Sequence, residues 1–219
     1  MATNKEVLDK TRQFVKERME GEGSGHDWWH IVRVVNTAKT IAAKEGGDLF
    51  IIELAALLHD IADWKFHGGD TTVGPRVTRE WLLTLDTSND VIDQVAYIVE
   101  YISFKGGSNT HKMKTIEGKV VQDADRLDAL GAIGIARTFA YGGAAGIEMY
   151  NPNVTPQNGK AIEHFKQTTG NHTINHFYEK LLLLKDRMNT TTAKTMATTR
   201  HDYMQKYLDE FYAEWEGVK

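Results

Sequence analysis

The sequence predicts an all-α protein, and three observations carry that prediction. Apolar residues recur at helical spacing along most of the 219 residues. No segment shows the sustained alternation of apolar and polar residues that is typical of a half-buried strand. The chain contains only three prolines, and no linker divides it cleanly. We therefore predict one all-α domain, residues 1–219, with a core at 20–135 and a C-terminal helical extension at 160–217.

The first six helices follow from apolar periodicity and from the residues that begin or end them. An amphipathic pattern predicts a first helix at 4–20, and glycines end it. Ser24–Asp27 offers capping side chains for a second helix at about 27–45. The apolar run Leu49–Leu58 suits a buried third helix. Three more helices are predicted at about 73–85, 89–103 and 116–129.

The C-terminal part of the chain has a mixed pattern. Five glycines between Gly131 and Gly146 suit close helix packing or a bend rather than a rigid helix throughout. Residues 150–159, with two prolines and three asparagines, predict a loop. Beyond Lys160, apolar residues predict two long helices separated near Asn189–Thr192. The run Leu181–Leu184 indicates core or an oligomer face.

Composition limits the classes of function. The net charge is −4, from 26 basic and 30 acidic residues, which argues against nonspecific nucleic-acid binding. Nine histidines and no cysteine exclude thiolate catalysis, disulfides and a cysteine-based zinc site. No apolar stretch is long enough for a membrane span, and the start of the chain is too charged for a secretory signal. We expect a soluble, cytoplasmic protein with neither nucleic acid nor membrane as a partner.

A histidine and a carboxylate stand side by side at the end of the third helix, His59 and Asp60. Imidazole nitrogen and carboxylate oxygen together suit Mn²⁺, Fe²⁺, Zn²⁺ or Ni²⁺ better than Ca²⁺, which prefers oxygen alone. At the start of the second helix, His26 and His30 are four positions apart and share a face. The pattern indicates a metal site.

Three carboxylates crowd the predicted sixth helix, within residues 123–128. Asp125 and Asp128 are three positions apart and can point the same way. Such crowding is unfavourable unless a positive charge lies opposite, and a divalent metal supplies one.

These stretches resemble the HD-domain superfamily of metal-dependent phosphohydrolases, and within it a small single-domain bacterial subgroup. The matching text is Gly-His-Asp-Trp-Trp-His at 25–30, Leu-Leu-His-Asp-Ile-Ala-Asp at 57–63 and Asp-Ala-Asp-Arg-Leu-Asp-Ala-Leu-Gly at 123–131. The segment Asn175–Leu181 is also similar, so the resemblance covers nearly the whole chain. It implies a helical bundle of the HD-domain type and one divalent cation, held by His30, His59, Asp60 and Asp125.

The resemblance also implies roles for two further carboxylates. Asp63, one helical turn beyond His59, resembles the acidic residue that assists the attacking water in related proteins; capping of the helix or loop is the alternative. Asp128 could orient a ligand or the water, with a salt bridge to Arg126 or Arg33 as the alternative.

Several basic residues are candidates for substrate binding. Lys65 and Lys105 lie in short glycine-flanked loops, where each could hold substrate phosphates or simply face solvent. Lys180 and Lys185 belong to family-like text with the same two alternatives. His26 competes with His30 as a ligand, and we interpret it as lining the pocket.

The function that the resemblance implies is hydrolysis of a phosphorylated small molecule, most concretely a nucleotide. Pyrophosphohydrolysis of nucleoside triphosphates or release of phosphate, through a metal-activated water, is the first choice. A cyclic-nucleotide or guanosine-tetraphosphate phosphodiesterase and a non-catalytic metal- or nucleotide-sensing module remain alternatives. One metal is favoured, since only His67 and His111 lie between the His-Asp pair and Asp125. Mn²⁺ or Mg²⁺ is expected, with Fe²⁺, Ni²⁺, Co²⁺ or Zn²⁺ as alternatives and a homodimer as one expected assembly.

Overall fold

The structure is a computed structural model that describes residues 2–19, 27–62, 70, 72–103, 111–156 and 171–219. Over these residues the chain is all-α, which confirms the predicted class. The elements are α1 (Asn4–Met19), α2 (Trp28–Glu45), α3 (Leu49–Leu58), α4 (Val73–Leu83), α5 (Asn89–Tyr101), α6 (Ile116–Asp128), α7 (Gly131–Ala144), α8 (Asn175–Glu179), a 3₁₀ helix (Leu181–Arg187) and α9 (Thr191–Trp215). In the same residues, the extended pairing is limited to an isolated bridge between Glu148 and His172.

The chain divides into two compact units, Met1–Ala124 and Asp125–Lys219, and the boundary falls inside α6. The organisation as one domain, with the bounds expected for its core and its extension, stays a prediction.

In the first unit, α3 is the buried element on which α1, α2 and α5 pack, and α4 packs on α5. Every residue from Ile51 to Leu58 is buried, and α1, α2 and α5 all contact this helix. The helix begins at a capping residue, Asp48, whose Oδ1 accepts hydrogen bonds from the backbone N–H of Phe50 at 2.8 Å and of Ile51 at 3.4 Å. Burial on all sides explains the continuous apolar sequence.

One charged residue of α3, Glu53, is buried, and its two partners are more exposed to solvent. The carboxylate of Glu53 lies 3.2 Å from the ammonium of Lys39 on α2 and 3.9 Å from the guanidinium of Arg12 on α1. A buried carboxylate needs such compensation, so Glu53 connects α3 to both neighbouring helices.

In the second unit, α7 packs on α9, and the 3₁₀ helix contacts both α8 and α9. One glycine of α7 permits a close contact with Thr173. A Cβ atom at Gly142 would lie 2.3 Å from the Oγ1 of Thr173, a distance that real Cβ atoms do not show. Thr173 is itself held, since its backbone N–H and its hydroxyl both donate to the carbonyl of Glu148.

The second unit agrees in part with one sequence expectation and contradicts another. Close packing, one of the two alternatives for Gly131–Gly146, is seen at Gly142, whereas Gly131–Ala144 is one continuous helix rather than an interrupted one. The first of the two long tail helices is replaced, in the residues described, by the short α8 and the 3₁₀ helix. Leu181 and Leu184 are buried there, as core.

None of the helices described is both long enough and apolar enough to cross a membrane.

Candidate metal centre

The first histidine of the centre is placed by the cap of α2. Asp27 has extended backbone angles, and its Oδ1 accepts a hydrogen bond from the backbone N–H of His30 at 2.8 Å. His30 is therefore the third residue of the helix, and its backbone is fixed by the capping interaction. Its side chain is fully buried. The capping role expected for the segment before α2 falls on Asp27 and holds a candidate metal ligand.

The second histidine and the carboxylate follow α3 directly. His59 keeps helical backbone angles, so its side chain turns back onto the last turn of the helix, where Nδ1 lies 2.8 Å from the carbonyl oxygen of Ala56. A carbonyl can only accept, so Nδ1 carries the hydrogen and donates it. In the neutral ring this leaves the lone pair on Nε2.

Three potential ligand atoms meet at one point. The Nε2 atoms of His30 and His59 are 3.2 Å apart, and each lies 3.4 Å from the Oδ2 of Asp60. The two imidazoles are buried, while the carboxylate is about one-sixth exposed. The result is an almost equilateral triangle of two nitrogens and one oxygen, open on the carboxylate side.

The donor set fits a divalent transition metal. Atoms bound to one ion at about 2.0–2.3 Å are neighbours separated by about 3 Å, which is close to the sides of the triangle. The bond from His59 to Ala56 is the outer contact that fixes the tautomer and the ring orientation of a metal-binding imidazole. His30, His59 and Asp60 are therefore a candidate metal site whose donor atoms fit a divalent ion.

Asp125 and Asp128 both lie in the second unit, at the end of α6. Asp125 is half-buried, and its role as fourth ligand stays a prediction. Asp128 is buried, and its Oδ2 accepts a hydrogen bond from Nη1 of Arg137 at 2.9 Å. Burial lowers the pKa of Arg200, and the negative charge of Asp128 opposes that shift, so a second guanidinium is near this carboxylate.

The pairing of Asp128 with Arg137 was missed in the sequence. The two residues are nine positions apart, on different helices, so local spacing gave no signal. The sequence suggested a salt bridge from Asp128 to Arg126 or Arg33 instead. The catalytic role of Asp128 stays a prediction.

The two tail lysines lie beside histidines. Burial lowers the pKa of His176 to about 3, and the positive charge of Lys180 is a smaller cause in the same direction. Lys185, at the 3₁₀ helix, lowers the pKa of His201 in the same direction as burial, which is the larger cause. Contact of either lysine with a substrate stays a prediction. Four of the candidates, His26, Asp63, Lys65 and Lys105, lie outside the described residues.

Two further observations concern aromatic residues, at the start of α2 and around His111. Trp28 is buried, whereas Trp29 exposes 64% of its surface. The imidazole of His111 stacks on the ring of Tyr101, with centroids 3.9 Å apart, and its Nε2 lies 2.8 Å from the hydroxyl of Tyr97.

Comparisons with known proteins agree with this centre. The model of the HD domain matches residues 28–130, which include the whole triangle. The protein YpgQ of Bacillus subtilis (strain 168) is 38% identical over 213 residues, covering 96% of this chain and 94% of YpgQ. The chain belongs to the HD-domain superfamily, whose domains are metal-dependent.

Solved structures extend the similarity over the full length. An HD-superfamily hydrolase from Bacillus thuringiensis is 45% identical, with a TM-score of 0.76 over 98% of this chain and 99% of that one. The structure of Bacillus subtilis YpgQ in complex with ADP is 38% identical, with a TM-score of 0.75 over 97% of this chain and 100% of that one. These matches support a hydrolase.

Proposed function

We propose that the chain is a metal-dependent phosphohydrolase that acts on nucleotides, with pyrophosphohydrolysis of nucleoside triphosphates as the most concrete activity. The observation that carries the proposal is the triangle of His30, His59 and Asp60. Its lone pairs converge from two helices, and the tautomer of His59 is already set by Ala56. Such an arrangement of two imidazole nitrogens and one carboxylate oxygen, with an outer contact that orients one ring, suits cation binding.

Within this proposal, His30, His59 and Asp60 hold one divalent cation, and Asp125 adds a fourth ligand. A bound divalent cation would lower the pKa of a water and offset negative charge that develops on a phosphoryl group. Mn²⁺ or Mg²⁺ is the metal proposed in use, although affinity alone would favour later transition metals at a site with imidazole ligands. A single metal is supported by the contacts of His111, whose ring packs on Tyr101 and whose Nε2 faces the hydroxyl of Tyr97.

A nucleotide is proposed as the substrate because the similar protein YpgQ has been solved with ADP. Lys180, Lys185 and His26 are the proposed substrate contacts that complement Lys65 and Lys105. An ammonium group binds a phosphate as a compact charge with three donors, which suits a flexible polyphosphate chain. Three statements stay predictions from the sequence: that nucleic acid is not a partner, that the protein forms a homodimer, and that it is cytoplasmic.

Asp63 is proposed to orient or deprotonate the attacking water. If it does, Asp63→Asn retains metal and loses roughly 10²–10⁴-fold in kcat, the scale of acid–base assistance. Lys105→Ala instead raises KM with a smaller effect on kcat, since the lysine would grip a phosphate away from the reacting centre. Full activity in Asp63→Asn would remove that residue from the mechanism.

The function is tested on purified, metal-loaded protein incubated with nucleoside mono-, di- and triphosphates, resolving phosphate from pyrophosphate. We expect pyrophosphate and a nucleoside monophosphate from a triphosphate. Asp93→Ala is the matched control for Asp60→Ala. Asp93 is an exposed carboxylate paired with Arg79, so its removal should leave turnover unchanged, whereas removal of Asp60 abolishes it.

Each outcome of this assay is decisive. Release of phosphate alone assigns a phosphatase and overturns the pyrophosphohydrolase. Nucleotide binding without turnover, with the metal present, favours the sensing module. Turnover that survives Asp60→Ala contradicts the centre itself.

A further inference from the structure

Trp29 is an exposed indole between two buried side chains. It exposes 64% of its surface, while its neighbours Trp28 and His30 expose 8% and none. An isolated exposed apolar residue needs no explanation. The position of this one does, since its Cα is about 3.8 Å from that of a residue whose imidazole belongs to the metal centre.

The first turn of α2 fixes where the indole stands. Asp27 caps the helix through the N–H of His30, so the backbone under Trp29 is held by the same interaction that places the ligand. Consecutive helical residues diverge by about 100° around the axis, and His30 points into the buried triangle. The indole therefore projects to solvent from the same helical turn that carries His30.

The face of α2 that carries Trp29 also carries a cation. Arg33 is four positions further along and half-buried, so the two side chains are neighbours on the helix surface. No acidic residue lies in the first turn of α2. Arg33 takes part in other interactions of the chain, and the exposed aromatic surface beside it suits a ligand with a flat π-system.

We propose that Trp29 is the residue on which the base of a bound nucleotide stacks while its phosphates reach the triangle. This inference rests on the proposed function and adds the part of the site that selects the substrate class. Every nucleobase has a π-face, so such a contact tolerates different bases and discriminates nucleotides from polyphosphates that lack a base. Trp29 is a specificity residue in this assignment, since it touches the base and not the reacting phosphates.

The test compares binding of α,β-methylene-ATP with binding of inorganic tripolyphosphate, both with Mn²⁺ present, by titration calorimetry. Loss of one stacked base corresponds to roughly 5–100-fold in affinity. We expect Trp29→Ala to lose that much for the nucleotide and to bind tripolyphosphate as the wild type does. Trp29→Phe should retain most of the nucleotide affinity. Tyr203→Ala, which removes another exposed aromatic ring, should change neither.

The opposite results are equally clear. Equal losses for the nucleotide and tripolyphosphate would mean that Trp29 supports the metal centre, and unchanged affinity for both would remove it from the site. If Trp29→Ala instead dissociates a dimer in sedimentation without changing nucleotide affinity, the indole is a self-association surface and the assignment fails. If the wild type binds no nucleotide, the proposed function is wrong. If the wild type turns over nucleotides and Trp29→Ala is equally active, only this inference is wrong.

Discussion

The Nε2 atoms of His30 and His59 lie 3.2 Å apart although 29 positions separate the two residues. Two imidazole nitrogens at this distance either share a hydrogen bond or bind a common ion, and Asp60 closes the group at 3.4 Å from each. The spacing makes the three side chains depend on one another, because removal of any one ligand takes two of the three sides of the triangle away.

We expect His59→Ala and Asp60→Ala each to weaken divalent binding by more than about 100-fold, since loss of an outer partner alone costs about 10–100-fold. Elemental analysis and calorimetric titration with Mn²⁺ measure the effect. The rise in Tm on adding Mn²⁺ should disappear with it, because that rise comes from binding to the folded state. Undiminished metal in both variants would contradict the centre.

The cap of α2 gives a second expectation. Asp27→Ala should lower stability by about 0.5–2 kcal/mol, the usual effect of losing a cap, and should also weaken Mn²⁺ binding. Asp27→Asn should restore both, because an amide oxygen still accepts from the N–H of His30. The control is Thr190→Ala, which removes the cap of α9: it should lower stability comparably and leave Mn²⁺ affinity unchanged. Equal metal affinity in Asp27→Ala and wild type would show that the cap serves only the helix.

The third expectation concerns the buried pair of Asp128 and Arg137. Asp128→Ala removes the carboxylate that lies 2.9 Å from the Arg137 guanidinium, and breaking a buried pair costs about 3–5 kcal/mol. We expect the double variant Asp128→Ala/Arg137→Ala to be less destabilised than the two single effects together, as measured by urea unfolding. Additive losses would show that the pair is not coupled. If kcat per folded molecule falls 10²-fold or more in Asp128→Asn, the residue acts in the chemistry as well.

Two adjacent glycines of α7 form a matched comparison. Gly142→Ala places a methyl group against the Oγ1 of Thr173, so we expect a loss of about 1–3 kcal/mol. Nothing lies within 4 Å of a Cβ at Gly143, so Gly143→Ala should be neutral or stabilising by up to about 1 kcal/mol. Urea unfolding of the two variants decides, and equal effects would contradict the packing described.

The pH dependence of stability should report His176. Its folded pKa of about 3 is below the unfolded value, so between about pH 6.5 and 3 the unfolded chain binds the proton first. Stability from this group is therefore complete above pH 6.5 and falls as the solution is acidified towards pH 3. His176→Asn should make the pH dependence shallower by up to about 1.4 kcal/mol per pH unit. Lys180→Met should narrow the pH window, since it removes a charge that lowers the pKa. Identical pH profiles for wild type and His176→Asn would contradict the expectation.

Much of the first unit could be predicted because its elements are locally encoded. The bounds of α2 and α3 follow from a capping aspartate before each helix and from the apolar run that ends at Leu58. The His59–Asp60 pair was visible for the same reason. What local pattern does not encode is the bond from His59 to the carbonyl of Ala56, because a backbone acceptor has no signature in the residue type.

The second unit was predicted less well because tertiary contacts decide its structure. Gly142 is tolerated in a helix because Thr173 packs against it, and the two residues are 31 positions apart. The pairing of Arg137 with Asp128 spans the break between α6 and α7, which no spacing rule anticipates.

One feature of the first unit also depends on tertiary contacts. Trp28 is buried and Trp29 is exposed, although both are aromatic residues at the start of one helix.

The burial of α3 along its whole length sets how a bound ion could leave. Amides from Ile51 to Leu58 should be among the slowest in the first unit to exchange with deuterium, because they open only when the surrounding helices separate. His59 and Asp60 are attached to the end of that helix. Escape of the ion should then proceed by stepwise replacement of ligands by water, at a rate that mild denaturant hardly alters.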